Sequence, residues 1–216
     1  METTVSMLAV TALTIGTLHT LAGPDHYLPF VAMARTRNWS TLKTINVVVI
    51  CGLGHVASSI VIGFIGIAAG IAISGIESVE ASRGSVAAWL LFIFGIGYMG
   101  WGLYRLLKTG AHHHHDHASG KKKQMTFWIL FTIFIFGPCE PLIPILMYPA
   151  AAHNYGTVAL ISVLFAITTI TTMILIVMLM LKGISLVKFN TLEKYQHLLA
   201  GGTIALCGAA ILFLGL

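Results

Sequence analysis

Three side chains that could bind a metal ion, His19, Asp25 and His26, lie within a long apolar run near the start of the chain. Ionisable side chains at membrane depth are costly and rare, and those that occur usually line an ion or proton path. The same stretch contains prolines at positions 24 and 29, and proline breaks a helix because it lacks the backbone donor and clashes with the preceding turn. Transporters build their binding sites from broken helices of this kind. The stretch therefore predicts one half of a transport site.

A second copy of this pattern occurs later in the chain. The segment Gly23–Pro29 has a counterpart at Gly137–Pro144, and each places Gly-Pro, two potential ligands, a leucine and a proline in that order. Since proline is favoured in the first helical turn, each Gly-Pro is expected to begin a half-helix. Paired interruptions in corresponding positions of two inverted halves are a pointer to a transporter site. Cys139 and Glu140 of the second copy therefore join the candidate ligands.

Composition identifies the protein class that must position these residues. The chain has 216 residues, of which 57% are hydrophobic and 9% are charged, whereas soluble domains carry about 25% charged residues. Spans of about 20 apolar residues predict an all-α integral membrane protein with six transmembrane helices, arranged as two inverted three-helix repeats in which helices 1 and 4 are broken. The predicted spans are 5–33, 42–73, 86–107, 125–151, 158–181 and 195–214.

The distribution of basic residues predicts the orientation. All but one of the 12 Lys and Arg residues flank the first, third and fifth connectors, and Arg83 is the exception. The positive-inside rule then places these connectors in the cytoplasm and both termini outside, as expected for a protein of a bacterial inner membrane. The formal net charge of +5 thus reflects topology and not binding to nucleic acid. Glu77, Glu80 and His153 fall in outer connectors and are expected to be solvated.

The predicted division of the chain is a first three-helix repeat at 1–107, a cytoplasmic His-rich loop at 108–124 and a second repeat at 125–216. The loop contains His112, His113, His114, His115 and His117, and clustered histidines bind divalent metals weakly. We therefore expect an accessory role in metal acquisition, against the alternative of a solvated loop whose composition means little.

The ligand types indicate which cation would bind. His55 lies in the middle of the second predicted span, behind Gly52 and Gly54, which allow close helix approach. The full candidate set is His19, Asp25, His26, His55, Cys139 and Glu140. Imidazole, carboxylate and thiolate together favour a late first-row divalent metal. The alternatives are histidines that pack between helices and a cysteine that acts as a small apolar filler. Cys51 and Cys207 are interpreted as fillers, without a disulfide framework.

The segment from His19 to His26, with Gly54-His55 and the His-rich loop, resembles nickel/cobalt transporters and the related urease-accessory membrane proteins. The resemblance implies that His19, Asp25, His26 and His55 bind the metal, although five residues separate His19 from Asp25 here and four do so in the family signature. The proline-flanked Cys139 is similar to that of the thiol–disulfide electron carriers of cytochrome c maturation, which belong to the same broad superfamily as lysine and sulfite exporters.

Three functions follow from these patterns as expectations. The first is transport of a divalent transition metal, nickel, cobalt or zinc, coupled to protons; the alternatives are a thiol–disulfide electron carrier and a sulfite-type anion exporter. The transporter would be no enzyme and would hold no tightly bound cofactor, since the metal is its substrate. Its expected partners are membrane lipid and the metal ion, and the sequence does not determine its oligomeric state.

Overall fold

A computed structural model of the chain describes residues 2–108, 120–137, 139, 141–186 and 193–214, most of which are helical, with no strand among them. The helices are α1 (Glu2–Ala22), α2 (Leu28–Thr36), α3 (Thr41–Ala68), α4 (Ile73–Lys108), α5 (Gly120–Phe136), α6 (Leu142–Ala151), α7 (Tyr155–Leu186) and α8 (Gln196–Leu214). Short 3-10 turns at Pro24–His26 and Glu193–Tyr195 precede α2 and α8.

Among the described residues, five helices are long and apolar enough to cross a membrane: α1, α3, α4, α7 and α8. The apolar part of α5 is shorter, at Thr126–Phe136, and the predicted span at 125–151 is divided between α5 and α6. A hydrocarbon core about 30 Å thick needs about 20 helical residues, so neither α5 nor α6 crosses it alone. The five long apolar helices make the protein an integral membrane protein built of helices.

Both Gly-Pro motifs break the helix in which they lie, as predicted, but the half-helices begin later than expected. The first break separates α1 from α2, which starts at Leu28, and the second separates α5 from α6, which starts at Leu142. Pro29 is the second residue of α2 and Pro141 directly precedes α6. There the missing N–H of proline costs nothing, because the first helical N–H groups have no intrahelical partner. Asp25, His26 and Cys139 consequently lie in the breaks, and not in an α-helical first turn.

The predicted outer connector at 74–85 is wrong, because this segment is the first part of α4. Ile76, Glu80 and Arg83 recur at helical spacing on a buried face, with Ile76 2% exposed and Glu80 fully buried. The polar residues between them lower the hydropathy of the segment, so hydropathy alone does not reveal this helical spacing. The predicted His-rich loop at 108–124 also differs at its end. Because α5 begins at Gly120, residues 120–124 are helical.

Helix packing depends on glycine where α4 meets α8. A Cβ atom on Gly95 would lie 2.3 Å from the backbone nitrogen of Ala205, and one on Gly201 would lie 2.3 Å from that of Met99. Small residues of this kind let membrane helices approach closely, where apolar side chains gain nothing by leaving lipid. Elsewhere α1 packs against α7, and α3 packs against both α5 and α7. These contacts bring the first break, the middle of α3 and the end of α5 together.

Candidate metal site

Three histidines from separate parts of the chain meet in the interior of the helix bundle. His19 lies in the last turn of α1, His26 in the 3-10 turn of the first break, and His55 in α3. One ring nitrogen from each lies within 4.8 Å of the other two. His26 is 2% exposed and His55 1% exposed. The group therefore forms a closed cluster of three imidazoles.

The hydrogen bonds of His26 and His55 identify the nitrogen that remains free. His26 Nδ1 lies 3.2 Å from Asp25 Oδ1 and 3.2 Å from the carbonyl of Gly23, and His55 Nδ1 lies 3.3 Å from the carbonyl of Phe134. These partners only accept hydrogen bonds, so we assign the proton of each ring to Nδ1. The lone pair of Nε2 is then available in both rings.

Among the described residues, the buried Nε2 atoms of all three histidines have no hydrogen-bond partner. A buried polar atom without a partner is costly, and native structures contain few of them. Metal-binding histidines show this pattern, because one nitrogen binds the ion and the other donates to a carboxylate or carbonyl that fixes the ring. Three imidazoles with ring nitrogens within 4.8 Å of one another, each with an unpartnered Nε2, are suited to a cation with nitrogen ligands.

A cavity of about 200 Å³ adjoins the three rings. His19, Asp25, His26 and His55 supply its polar wall, and the ends of α1 and α5 with parts of α4 and α8 supply the rest. The wall contributed by α4 consists of Gly84, Ala87, Ala88 and Leu91. These residues are mostly small, so the cavity has room for a cation with several waters, each of which takes about 30 Å³.

The glycine of each Gly-Pro motif allows a histidine to approach. A Cβ atom on Gly23 would lie 2.5 Å from His26 Nδ1 and 2.8 Å from Asp25 Oδ1. A Cβ atom on Gly137 would lie 2.9 Å from His55 Nδ1. Real Cβ atoms essentially never show contacts below 3.0 Å. Both breaks therefore need glycine at this position for the imidazoles to occupy their places.

The separation of the nitrogens is slightly wider than that of a bound metal. Metal–nitrogen bonds of 2.0–2.1 Å in tetrahedral geometry place two ligand nitrogens about 3.3 Å apart. Since the ligand nitrogens lie within 4.8 Å of one another, the widest pair would have to close by no more than roughly 1.5 Å around an ion. Three histidine ligands leave a fourth position open, as in sites where water or substrate exchanges.

The predicted ligands differ in where the structure places them. His19, His26 and His55 form the cluster, and the extra residue before Asp25 does not remove His19 from it. Asp25 lines the cavity and contacts His26 Nδ1, which is the position of a carboxylate that orients a ligand. Glu140 and His112–His117 lie outside the described residues.

Cys139 lies outside the cavity that the histidines line. Its side chain is fully buried in an apolar cluster with Leu142 and Phe165. Cys51 and Cys207 belong to a different apolar cluster, and all three cysteines are free. The sulfur atoms are therefore placed as apolar fillers, which is the alternative that the sequence left open for Cys139.

Glu80 was predicted to be solvated, and that prediction is wrong. Its carboxylate is fully buried and pairs with Arg83, which is one turn further along α4. It also accepts hydrogen bonds from the hydroxyl of Ser59 at 2.9 Å and the backbone N–H of Cys139 at 3.1 Å. The sequence signal that could have revealed it is the Glu-Arg pair three residues apart on the face of Ile76. Glu77 and His153 are exposed, as predicted.

The fold and the site define a class of protein: an integral membrane protein of helices that encloses a buried three-histidine cluster beside a cavity. Comparisons with protein-family models, with characterised proteins and with solved structures find no match to this chain. The function therefore has to be argued from the site.

Proposed function

We propose that this protein transports a divalent transition-metal cation across a bacterial inner membrane, and that His19, His26 and His55 bind the cation in transit. The observation that carries the proposal is the cluster of three histidines beside a cavity, in which each ring has a buried Nε2 atom without a hydrogen-bond partner. Imidazole nitrogen suits nickel, cobalt, copper and zinc better than magnesium or calcium. Nickel and cobalt, with zinc as a further candidate, are therefore the proposed substrates.

The charge of the site suits a cation that has to be released after it is bound. Three neutral imidazoles add no charge, and the nearby carboxylate of Asp25 offsets part of the charge of a divalent ion. Because bound imidazoles cannot keep a proton on Nε2, the cation and protons compete for the same atoms. A proton gradient could therefore drive release on the acidic side, which supports coupling to protons.

The proposed architecture is two inverted three-helix repeats, with α1–α4 in the first and α5–α8 in the second. The packing supports this proposal, because α1 contacts α7 while its counterpart α5 contacts α3. The counterparts α3 and α7 also contact each other, as do α4 and α8. Inverted repeats of this kind place a substrate site between the two halves, and here the clustered histidines meet the end of α5. The charge asymmetry of the connectors supports both termini lying outside.

Transport in proteoliposomes tests the proposal. The wild-type protein should carry Ni²⁺, Co²⁺ or Zn²⁺ in preference to Mn²⁺ and Mg²⁺, and His26→Ala and His55→Ala should abolish that flux. His153→Ala is the matched control, because His153 is exposed and should not affect transport. The absence of metal flux in wild-type protein, or full flux in His55→Ala, would refute the proposal. Flux of sulfite without any metal flux would instead indicate the anion exporter.

A further inference from the structure

The most extensive polar network in the described interior lies one helical turn from the cavity, on α4. The guanidinium of Arg83 pairs with Glu80 and donates hydrogen bonds to the hydroxyls of Ser58 at 2.7 Å and Ser59 at 3.3 Å. It also donates to the carbonyl of Ile135, near the end of α5. Together with the bond from the N–H of Cys139 to Glu80, these contacts join α4 to α3, to α5 and to the second break.

The network satisfies backbone groups that the second break leaves open. A helix end exposes carbonyls without intrahelical partners, and Arg83 supplies a donor to one of them at Ile135. Glu80 supplies an acceptor to the N–H of Cys139 within the break. A buried ion pair is expensive at membrane depth, but an apolar pair in its place would leave both backbone groups unpaired. The charges are thus suited to hold a broken helix in position.

Two of these contacts lead directly to His55. Ser58, which accepts from Arg83, donates its own hydroxyl to the carbonyl of His55 at 2.8 Å. Ile135 directly follows Phe134, whose carbonyl contacts His55 Nδ1. The network therefore holds both the segment of α3 that carries the ring of His55 and the end of α5, where the carbonyl of Phe134 orients that ring.

We propose that Glu80 and Arg83 are positioning residues of the metal site, which hold the end of α5 and the second break against α3 and so fix the ring of His55. This inference rests on the proposed function, because it assigns a role relative to the cation that the three histidines bind. Loss of the pair would free the end of α5, so that His55 loses its acceptor while His19 and His26 stay in place. Groups that orient ligand histidines typically contribute 10–100-fold to metal affinity.

The test is a titration of the detergent-solubilised full-length protein with Co²⁺, whose visible absorption reports the number and geometry of its ligands. Glu80→Gln should weaken Co²⁺ binding by about 10–100-fold and change the absorption spectrum as one nitrogen leaves. Arg83→Lys keeps the charge but not the planar fork of donors, so it should also weaken binding. Glu77→Gln is the matched control, since Glu77 is exposed on the same helix and should match the wild type.

A double-mutant comparison separates positioning from a general effect on folding. Glu80→Gln should add no further loss of affinity to His55→Ala, because it acts through that ring, whereas it should add its loss to that of His26→Ala. If Glu80→Gln does not fold, Ser59→Ala removes one hydroxyl of the same network and should weaken binding in the same direction. Near-wild-type affinity and spectrum in a folded Glu80→Gln or Ser59→Ala protein would overturn the inference.

The two proposals fail in distinguishable ways. If wild-type protein binds Co²⁺ and Glu80→Gln binds it equally well, only the positioning role is wrong. If the wild type binds no Co²⁺, the proposed function fails and the positioning role fails with it. Loss of affinity in Glu80→Gln that simply adds to the loss in His55→Ala would show that the network acts elsewhere.

Discussion

Gly137→Ala should weaken metal binding although it adds only one methyl group at a residue that binds nothing itself. The new Cβ would lie 2.9 Å from His55 Nδ1 and 3.2 Å from Cε1 of the same ring, whereas ordinary contacts begin at 3.4 Å. The ring must therefore move by about 0.5 Å, which is the tolerance within which a functional site has to be held. The movement also strains the bond from Nδ1 to Phe134. We expect the metal affinity to fall by about 10–100-fold, or about 1.4–2.8 kcal/mol.

Co²⁺ titration of the purified protein, followed by transport in proteoliposomes, measures this effect. Gly63→Ala is the control, because it adds the same methyl group to α3 at a position where the new Cβ would meet nothing within 4 Å beyond its chain neighbours and its own helix backbone. It should bind Co²⁺ like the wild type. Unchanged affinity in Gly137→Ala, or an equal loss in Gly63→Ala, would show that the contact between Gly137 and His55 does not shape the site.

Four further changes test other parts of the site and the His-rich loop. Lowering the pH should weaken Co²⁺ binding, since protons and the ion compete for the same nitrogens; a pH-independent affinity would contradict histidine ligands. Asp25→Asn should lower affinity by about 10–100-fold by loosening His26, measured in the same titration, and wild-type affinity would show that the carboxylate is not needed. Cys139→Ser should leave the Co²⁺ spectrum unchanged while it lowers thermal stability, because it buries a hydroxyl among apolar side chains; a changed spectrum would indicate a sulfur ligand. Deletion of His112–His117 should reduce transport at low metal concentration but leave it measurable at high concentration, and complete loss in an inserted protein would place these residues on the path.

Much of the fold could be predicted from the sequence because membrane helices follow simple physical rules. Apolar length predicts the long helices, and proline after glycine predicts both breaks. The segment at 74–85 was misassigned because its polar residues lower the hydropathy of a helix that buries one face. Glu80 is buried on that face, where its carboxylate accepts hydrogen bonds from Ser59 of α3 and from Cys139 in the second break. Such partners are distant in sequence, so no local pattern reveals them.

The histidines of the site were accessible to sequence reasoning, but their individual roles were not. Imidazole at membrane depth already suggests a ligand, and His19, His26 and His55 do come together. The repeat predicted matching ligands in the second break, yet Cys139 packs among apolar side chains. Whether a side chain in a break turns towards the cavity or away from it depends on the tertiary packing around it. Among the described residues, the similarity between the two motifs concerns the backbone break and does not extend to the side chain of Cys139.

The two breaks consequently contribute different groups to one site. The first break carries His26 and the carboxylate that orients it. At the second, the end of α5 contributes the carbonyl of Phe134, and the break itself contributes Gly137, beside which the ring of His55 fits. His55 therefore connects α3 to the end of α5. If the second break moves relative to α3, either the bond to Phe134 breaks or the ring follows it. If the ring follows, the distance from His55 to the other two histidines changes, and if the bond breaks, the ring loses the acceptor that orients it. Either outcome would alter cation affinity.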